Sequence, residues 1–213
     1  MKFVSRQDAG RQLGQFLRER GMIADLVLGL PRGGVVVAAE VARELGLPLE
    51  VLVVRKIGHP GHRELAVGAL AEPDVFILDE MTLSAAPVSR CQLDTVIAEE
   101  TARLREYQSR FRPAGALSLK NKSVLLVDDG LATGATAEAA VLSARQQNAR
   151  RIIVAAPVAS TSAFEKLERS ADEVVSLAVD PGFAAVGQYY ENFAQTTDDE
   201  VIALLTGAWS RRE

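Results

Sequence analysis

A doubly wound α/β fold, with a mainly parallel five-stranded sheet flanked by helices, is what the sequence predicts, on three observations. Five short runs are nearly continuous in Val, Ile and Leu, segments of helical periodicity separate them, and two of the runs end in small-residue turns that lead into helices. Strands buried on both faces of a parallel sheet carry apolar residues without alternation. The repeated strand–helix–strand order then implies right-handed crossovers.

The strands are expected at 26–30, 49–54, 123–127, 151–157 and 173–179. Residues 34–45 place Val37, Ala38, Val41, Ala42 and Leu45 on one helical face, and Gly46 supplies the stop. Helices are also expected at 134–147 and at 161–169, the second opening on Thr161 and Ser162. Residues 56–80 depart from the repeat: Gly58, Pro60, Gly61 and two histidines read as a mobile loop, followed by a small hairpin from the runs 65–70 and 75–78. A long polar helix is expected over 88–110, packed by the single stripe Leu93, Val96, Ile97, Thr101, Leu104 and Tyr107. Asp198, Asp199 and Glu200 begin a capped helix over 197–209.

The 213 residues suit one sizeable domain. A net charge of -4 argues against nonspecific nucleic-acid binding, which needs a basic face. Cys91 is the only cysteine, which excludes an intrachain disulfide and points to a reducing compartment. No apolar stretch reaches the roughly 20 residues of a membrane span, and residues 1–6 lack the apolar core of a secretion signal. A cytoplasmic protein without membrane or nucleic-acid partners is the expectation.

The richest segment runs from Ser123 to Thr136: an apolar strand, the acidic pair Asp128-Asp129, the small-residue turn Gly130-Leu131-Ala132-Thr133, then Gly134-Ala135-Thr136 opening a helix. Carboxylates at a strand end accept hydrogen bonds from vicinal hydroxyls or help hold magnesium. Free N–H groups at a helix N-terminus favour an anion, and Thr133 and Thr136 add hydroxyl donors. Carboxylates at one end and an anion cradle at the other describe a ribose 5-phosphate site. Taken apart, Asp-Asp-Gly is an ordinary turn and Thr133 an ordinary cap.

Residues 124–136 resemble the signature by which type I phosphoribosyltransferases bind 5-phosphoribosyl 1-pyrophosphate (PRPP), and the resemblance extends over about residues 20–180. Arg55-Lys56-Ile57-Gly58, residues 64–69 and Val186-Gly187-Gln188-Tyr189-Tyr190 further resemble an uncharacterised bacterial group within that family. The resemblance implies a single domain over 1–213, with a core at about 20–180 and a flexible loop and hairpin at about 56–80. A helical insertion at about 88–110 and a hood from 181–213 together with 1–20 complete it.

The resemblance also implies transfer of the phosphoribosyl group to a base-like nitrogen acceptor with release of pyrophosphate, in the presence of Mg2+. Asp128 and Asp129 would contact the ribose or the metal, and Gly130 with 132–136 the 5′-phosphate. Pro31, Arg32, Gly33, Gly34 and Lys56 would receive the pyrophosphate, with Asp128, Asp129, Arg32 and Lys56 as the catalytic set. The loop at 57–66 would close over the site, and homodimers are common among similar enzymes. Phe183, Val186 and Tyr189, in the aromatic-rich tail, are candidates for a base-stacking surface; a cluster tying the C-terminal helix to the core explains them equally well. Ala132 stands where 6-oxopurine enzymes carry a third acidic residue, which disfavours such substrates. His59 and His62 sit in a Gly/Pro loop and read as loop residues, and Glu64 as a surface carboxylate. A PRPP- or nucleotide-binding regulator without turnover is the alternative. A dinucleotide-binding dehydrogenase lacks its glycine spacing here, and a serine hydrolase its nucleophile elbow.

Overall fold

The computed structural model describes residues 2–112 and 117–209, with the side chains of Glu64 and Trp209 excepted; residues 1 and 210–213 of the expected hood lie outside the described residues. Five parallel strands form the main sheet: β1 (Leu26–Gly29), β2 (Leu49–Val51), β6 (Ser123–Val127), β7 (Arg151–Ser160) and β8 (Glu173–Asp180), in the order β2-β1-β6-β7-β8. Alternate residues of each strand feed two apolar layers. Val27, Leu125, Val127, Ile153 and Ala155 pack towards α1 (Arg6–Glu19), α2 (Gly33–Leu45) and α7 (Asp198–Trp209). Leu26, Leu28, Val124, Leu126, Ile152 and Val154 pack towards α5 (Ala135–Gln146) and α6 (Thr161–Glu168). Both faces of the sheet are therefore covered, which is why its strands read as uninterrupted apolar runs.

Three expectations change. The run 49–54 splits: β2 ends at Val51, and Val54 opens β3 (Val54–His59) in a separate three-stranded antiparallel sheet with β4 (His62–Ala71) and β5 (Val75–Leu78). Glu72 makes the junction, its carboxylate accepting from the Val53 N–H at 2.8 Å while its own N–H donates to the Val53 carbonyl at 3.1 Å. The loop expected at about 57–66 is paired strand, with only Pro60 and Gly61 turning between β3 and β4. The long helix α4 (Arg90–Phe111) follows a short α3 (Glu80–Ala85), and its buried stripe includes Glu100. That carboxylate is neutralised by Arg55 at 2.7 Å and Arg103 at 2.7 Å. Among the described residues no helix is long and apolar enough to cross a membrane.

Helix α1, which the sequence reading leaves unassigned, buries Ala9, Gly10, Leu13, Gly14 and Leu17 and lies against α2. Its Ser5 cap accepts from the Asp8 N–H at 3.2 Å. The next residue, Arg6, is thereby fixed beside the ends of β1 and β6.

Candidate active site

The strand order reverses between β1 and β6: the chain winds outward from β1 through β2 on one side and through β7 and β8 on the other. The crevice beyond the carboxyl ends at such a reversal is where open α/β sheets bind ligands. Two loops meet there, and the Leu30 N–H donates to the Val127 carbonyl at 3.0 Å to hold them side by side. In the first, the peptide bond between Pro31 and Arg32 is cis, and α2 begins at Gly33. A Cβ at Gly33 would overlap the Asp129 carboxylate, and one at Gly34 would lie 2.8 Å from Asp128 Oδ1. Only bare backbone fits against this acidic pair.

Both carboxylates are withdrawn from solvent. Asp128 Oδ1 accepts from the Asp129 N–H at 2.8 Å, and Asp129 Oδ2 accepts from Arg6 Nε at 2.6 Å. Burial, and then the neighbouring Asp129 charge, push the Asp128 carboxyl well above its ordinary range. Burial raises Asp129 as well, with the Arg6 guanidinium opposing it. Arg6 is held from two further sides: Nη1 donates to the Ala194 carbonyl at 2.7 Å, and the guanidinium lies 3.8 Å from the Phe193 ring centroid. The Tyr190 hydroxyl donates to the Asp129 carbonyl at 2.6 Å, and its ring sits 5.1 Å from Phe193.

Beyond the acidic pair the loop is strapped to β7. The Leu131 N–H donates to the Val158 carbonyl at 2.9 Å, and Ser160 Oγ donates to the Ala132 carbonyl at 2.6 Å. Ala132 and Thr133 remain exposed. Gly134, at φ 72°, makes the left-handed step into α5 that a side chain would disfavour. Gly134 offers this 12-residue helix no side-chain cap, and the Ala135 N–H donates instead to Thr133 Oγ1 of the loop at 3.4 Å.

A cavity of about 630 Å³ adjoins these loops and is lined by Pro31, Arg32, Lys56 and Thr136, with Arg55, Arg63 and Arg103 adding positive charge and Glu100 the one carboxylate. The cavity thus brings Pro31, Arg32 and Lys56, expected to meet pyrophosphate, beside Thr136, expected to meet the 5′-phosphate; Gly33, Gly34 and the other residues of the 130–136 loop do not line it. Arg55 turns to Glu100 at 2.7 Å and to the Tyr107 ring, 5.0 Å away, while Lys56 stands on the exposed side of β3. Arg32 Nη1 lies 3.4 Å from Asp198 Oδ1 at the start of α7, and the other oxygen of Asp198 takes Arg110 at 2.6 Å.

The three candidates for a base surface share one apolar cluster, with Phe183 and Val186 packed against the buried Tyr189 group. Val186 lies against Gly130, close enough for a Cβ there to touch it at 2.6 Å. Tyr189 is buried in an aromatic cluster with Phe3, Tyr190 and Phe183, and its hydroxyl donates to Asp180 Oδ2 at 2.7 Å. The aromatic groups at the acidic pair are instead Tyr190 and Phe193. His59 and His62 face each other across the end of the β3–β4 hairpin, and the Gly61 N–H donates to His59 Nδ1 at 3.1 Å. The sequence alone does not single out Arg6, Tyr190, Phe193 or Asp198 as site residues; the aromatic enrichment near 183–193 is the one signal towards them.

A model of the phosphoribosyl transferase domain matches residues 6–193. Two Mycobacterium tuberculosis proteins, MT0597 of strain CDC 1551 and Rv0571c of strain H37Rv, both provisionally named phosphoribosyl transferases, are 44% identical over 207 residues. The match covers 97% of this chain and 47% of theirs, so the chain spans about half the length of these curated relatives. TT1426 from Thermus thermophilus is 45% identical with a TM-score of 0.78, covering 97% of this chain and 99% of that one. A Neisseria gonorrhoeae protein solved with bound ppGpp shares the fold at 16% identity, with a TM-score of 0.51 and coverage of 97% and 98%.

Proposed function

The chain belongs to the phosphoribosyl transferase domain family, and on that premise we propose that it transfers the 5-phosphoribosyl group of PRPP to a base-like nitrogen acceptor, releasing pyrophosphate, in the cytoplasm. The observation that carries this reading is the contact between two chemically distinct subsites. Asp128 and Asp129 touch the Gly33–Gly34 backbone, and that backbone leads from Arg32 in the basic cavity. A ligand with hydroxyls at one end and phosphates at two others matches this layout.

Each group then has a task. Asp128 and Asp129 accept hydrogen bonds from the ribose hydroxyls, and the N-terminus of α5 with Thr133 and Thr136 holds the 5′-phosphate. Arg32 and Lys56 take up the charge that develops on pyrophosphate as its bond to C1 breaks, the electrostatic contribution that dominates such sites. The cleavage passes through an oxocarbenium-like state, so the surrounding backbone also has to keep water from C1.

The residues present fit magnesium. Among the described residues no group of three or more His, Cys, Asp or Glu could cage a metal; two adjacent carboxylates with substrate phosphates are the donor set that magnesium uses. Asp128 and Asp129 would hold it, and the bound ion would neutralise pyrophosphate charge.

The test is turnover: incubation with PRPP, magnesium and a panel of heterocyclic bases, following pyrophosphate release. Acceptor-dependent release that Arg32→Ala lowers by at least about 100-fold supports the reading, since one lost electrostatic donor costs that much in comparable sites. PRPP binding without release on any acceptor would leave a regulatory protein in its place.

A further inference from the structure

The structure assigns Asp198 as the positioning residue of Arg32: a carboxylate outside the basic cavity that keeps the guanidinium at its wall. This rests on the transferase reading above, in which Arg32 meets the departing pyrophosphate, and adds to it how that cation is kept in place. Arg32 lines the cavity and its side chain is 30% exposed. An arginine so placed has many rotamers to lose, and a partner is needed to select one. Asp198, the first residue of α7, is that partner: Arg32 Nη1 donates to Asp198 Oδ1 at 3.4 Å, and Asp198 is not among the residues that line the cavity. An arginine carries five N–H donors in a flat fork. A carboxylate engaged at Nη1 therefore fixes the plane while other donors remain for phosphate oxygens.

The start of α7 does not need this carboxylate for itself. Thr197 Oγ1 accepts from the Glu200 N–H at 3.2 Å, and Glu200 Oε2 accepts from the Thr197 N–H at 2.7 Å, so a reciprocal cap is already closed. Asp199, also in the first turn, is 95% exposed and supplies the negative charge that a helix N-terminus favours. Asp198 is only 17% exposed and is divided between two cations, Oδ1 to Arg32 and Oδ2 to Arg110 Nη1 at 2.6 Å. The shorter contact lets Arg110, in the last turn of α4, offset most of the carboxylate charge. Arg32 is thus fixed without being neutralised, and its charge stays available to an anion. Both supports are firmly seated: Val201 and Leu205 of α7, and Phe111 beside Arg110, are buried in one apolar cluster.

Nitrogen-15 relaxation of the Arg32 Nε–H group in the ligand-free full chain, its signal identified by loss in Arg32→Ala, reads the positioning directly. The wild-type order parameter should lie above about 0.6 and fall into the flexible range below it in Asp198→Ala; Asp199→Ala should leave it unchanged. Turnover with PRPP, magnesium and an accepted base is the second readout. Asp198→Ala should lower kcat about ten- to thirtyfold, thirtyfold being what the full rotamer freedom of an arginine is worth. KM for PRPP should stay within about twofold, because Arg32 acts on charge that develops only as the bond breaks. In an Arg32→Ala background the same substitution should change kcat by less than about twofold, whereas simple damage to α7 would cost the same factor in either background. An Arg32 signal equally ordered without Asp198, additive losses in the double variant, a loss confined to KM, or an equal loss in Asp199→Ala would each overturn the inference. A wild type that turns over no base sinks the transferase reading instead; the role of Asp198 is then decided by the order of Arg32 alone.

Discussion

Replacing Arg6 with methionine should remove the charge that compensates Asp129 while keeping much of the side chain's bulk. The two side chains are 11% and 15% exposed and 2.6 Å apart, so the pair is nearly buried. Deleting one member of such a pair costs about 3–5 kcal/mol, because the other charge stays behind uncompensated. Asp128, half-buried alongside, adds repulsion, whereas proton uptake by Asp129 offers relief, so the lower end, about 3 kcal/mol at pH 7, is expected. At about 2–4 °C per kcal/mol for a chain of this size, Tm should fall by about 6–12 °C. The pH dependence has a definite sign. Burial already lifts Asp129 above its ordinary 3.8 with Arg6 opposing, and without Arg6 the folded-state value climbs further. A carboxyl raised in the folded state loses stability as pH rises from its unfolded value through its folded one. The variant's deficit should therefore be small near the unfolded value and full at neutrality. Urea denaturation at pH 5 and pH 7 reads both effects. A deficit below about 1 kcal/mol at pH 7, the level of an exposed pair, or one equal at the two pH values, would refute the reasoning.

Gly33→Ala drives a methyl group into the Asp129 carboxylate, so PRPP affinity should fall at least about tenfold; calorimetry showing wild-type affinity would contradict the packing described. Hydrogen-bonding of ribose hydroxyls requires an ionised Asp128, whose carboxyl is raised by burial and by Asp129. PRPP affinity should accordingly weaken as pH falls through a range above 3.8, and Asp128→Asn should flatten that profile in calorimetric titrations. Glu72 is 4% exposed, pairs with Arg112 and accepts from Gln108 Nε2 at 3.0 Å. Glu72→Ala should cost about 3–5 kcal/mol in chemical denaturation, and a cost under about 1 kcal/mol would show that the junction between the sheets does not depend on it.

The strands of the main sheet were legible because burial on both faces leaves nothing to interrupt them: Val27, Leu125 and Ile153 serve one layer, Leu28, Leu126 and Val154 the other. The same continuity hid the break after Val51, since Leu52 and Val53 are fully buried while the chain passes from one sheet to the next. Helix α1 escaped notice because its buried face is partly glycine. Gly10 and Gly14 let it approach α2 so closely that a Cβ at either would lie 2.7 Å from a Glu40 or Glu44 side-chain carbon, which contributes proximity rather than hydrophobic pattern. The hairpin between β3 and β4 was obscured by Gly58, Pro60 and Gly61, which punctuate a sequence in the way a loop does. The strand–turn–helix form of residues 31–34 and 128–136 could be read because each loop is local. Arg6 and Asp198 could not, since their partners Asp129 and Arg32 lie 123 and 166 residues away and only the folded chain brings them together.

Calorimetric titration of PRPP, with and without magnesium, into wild type and into the Asp128→Asn, Asp129→Asn double variant tests the central claim most directly. Magnesium-dependent binding by wild type that the double variant loses is the predicted result. A well-folded wild-type protein that takes up no PRPP, or a double variant that binds it unchanged, would contradict the account.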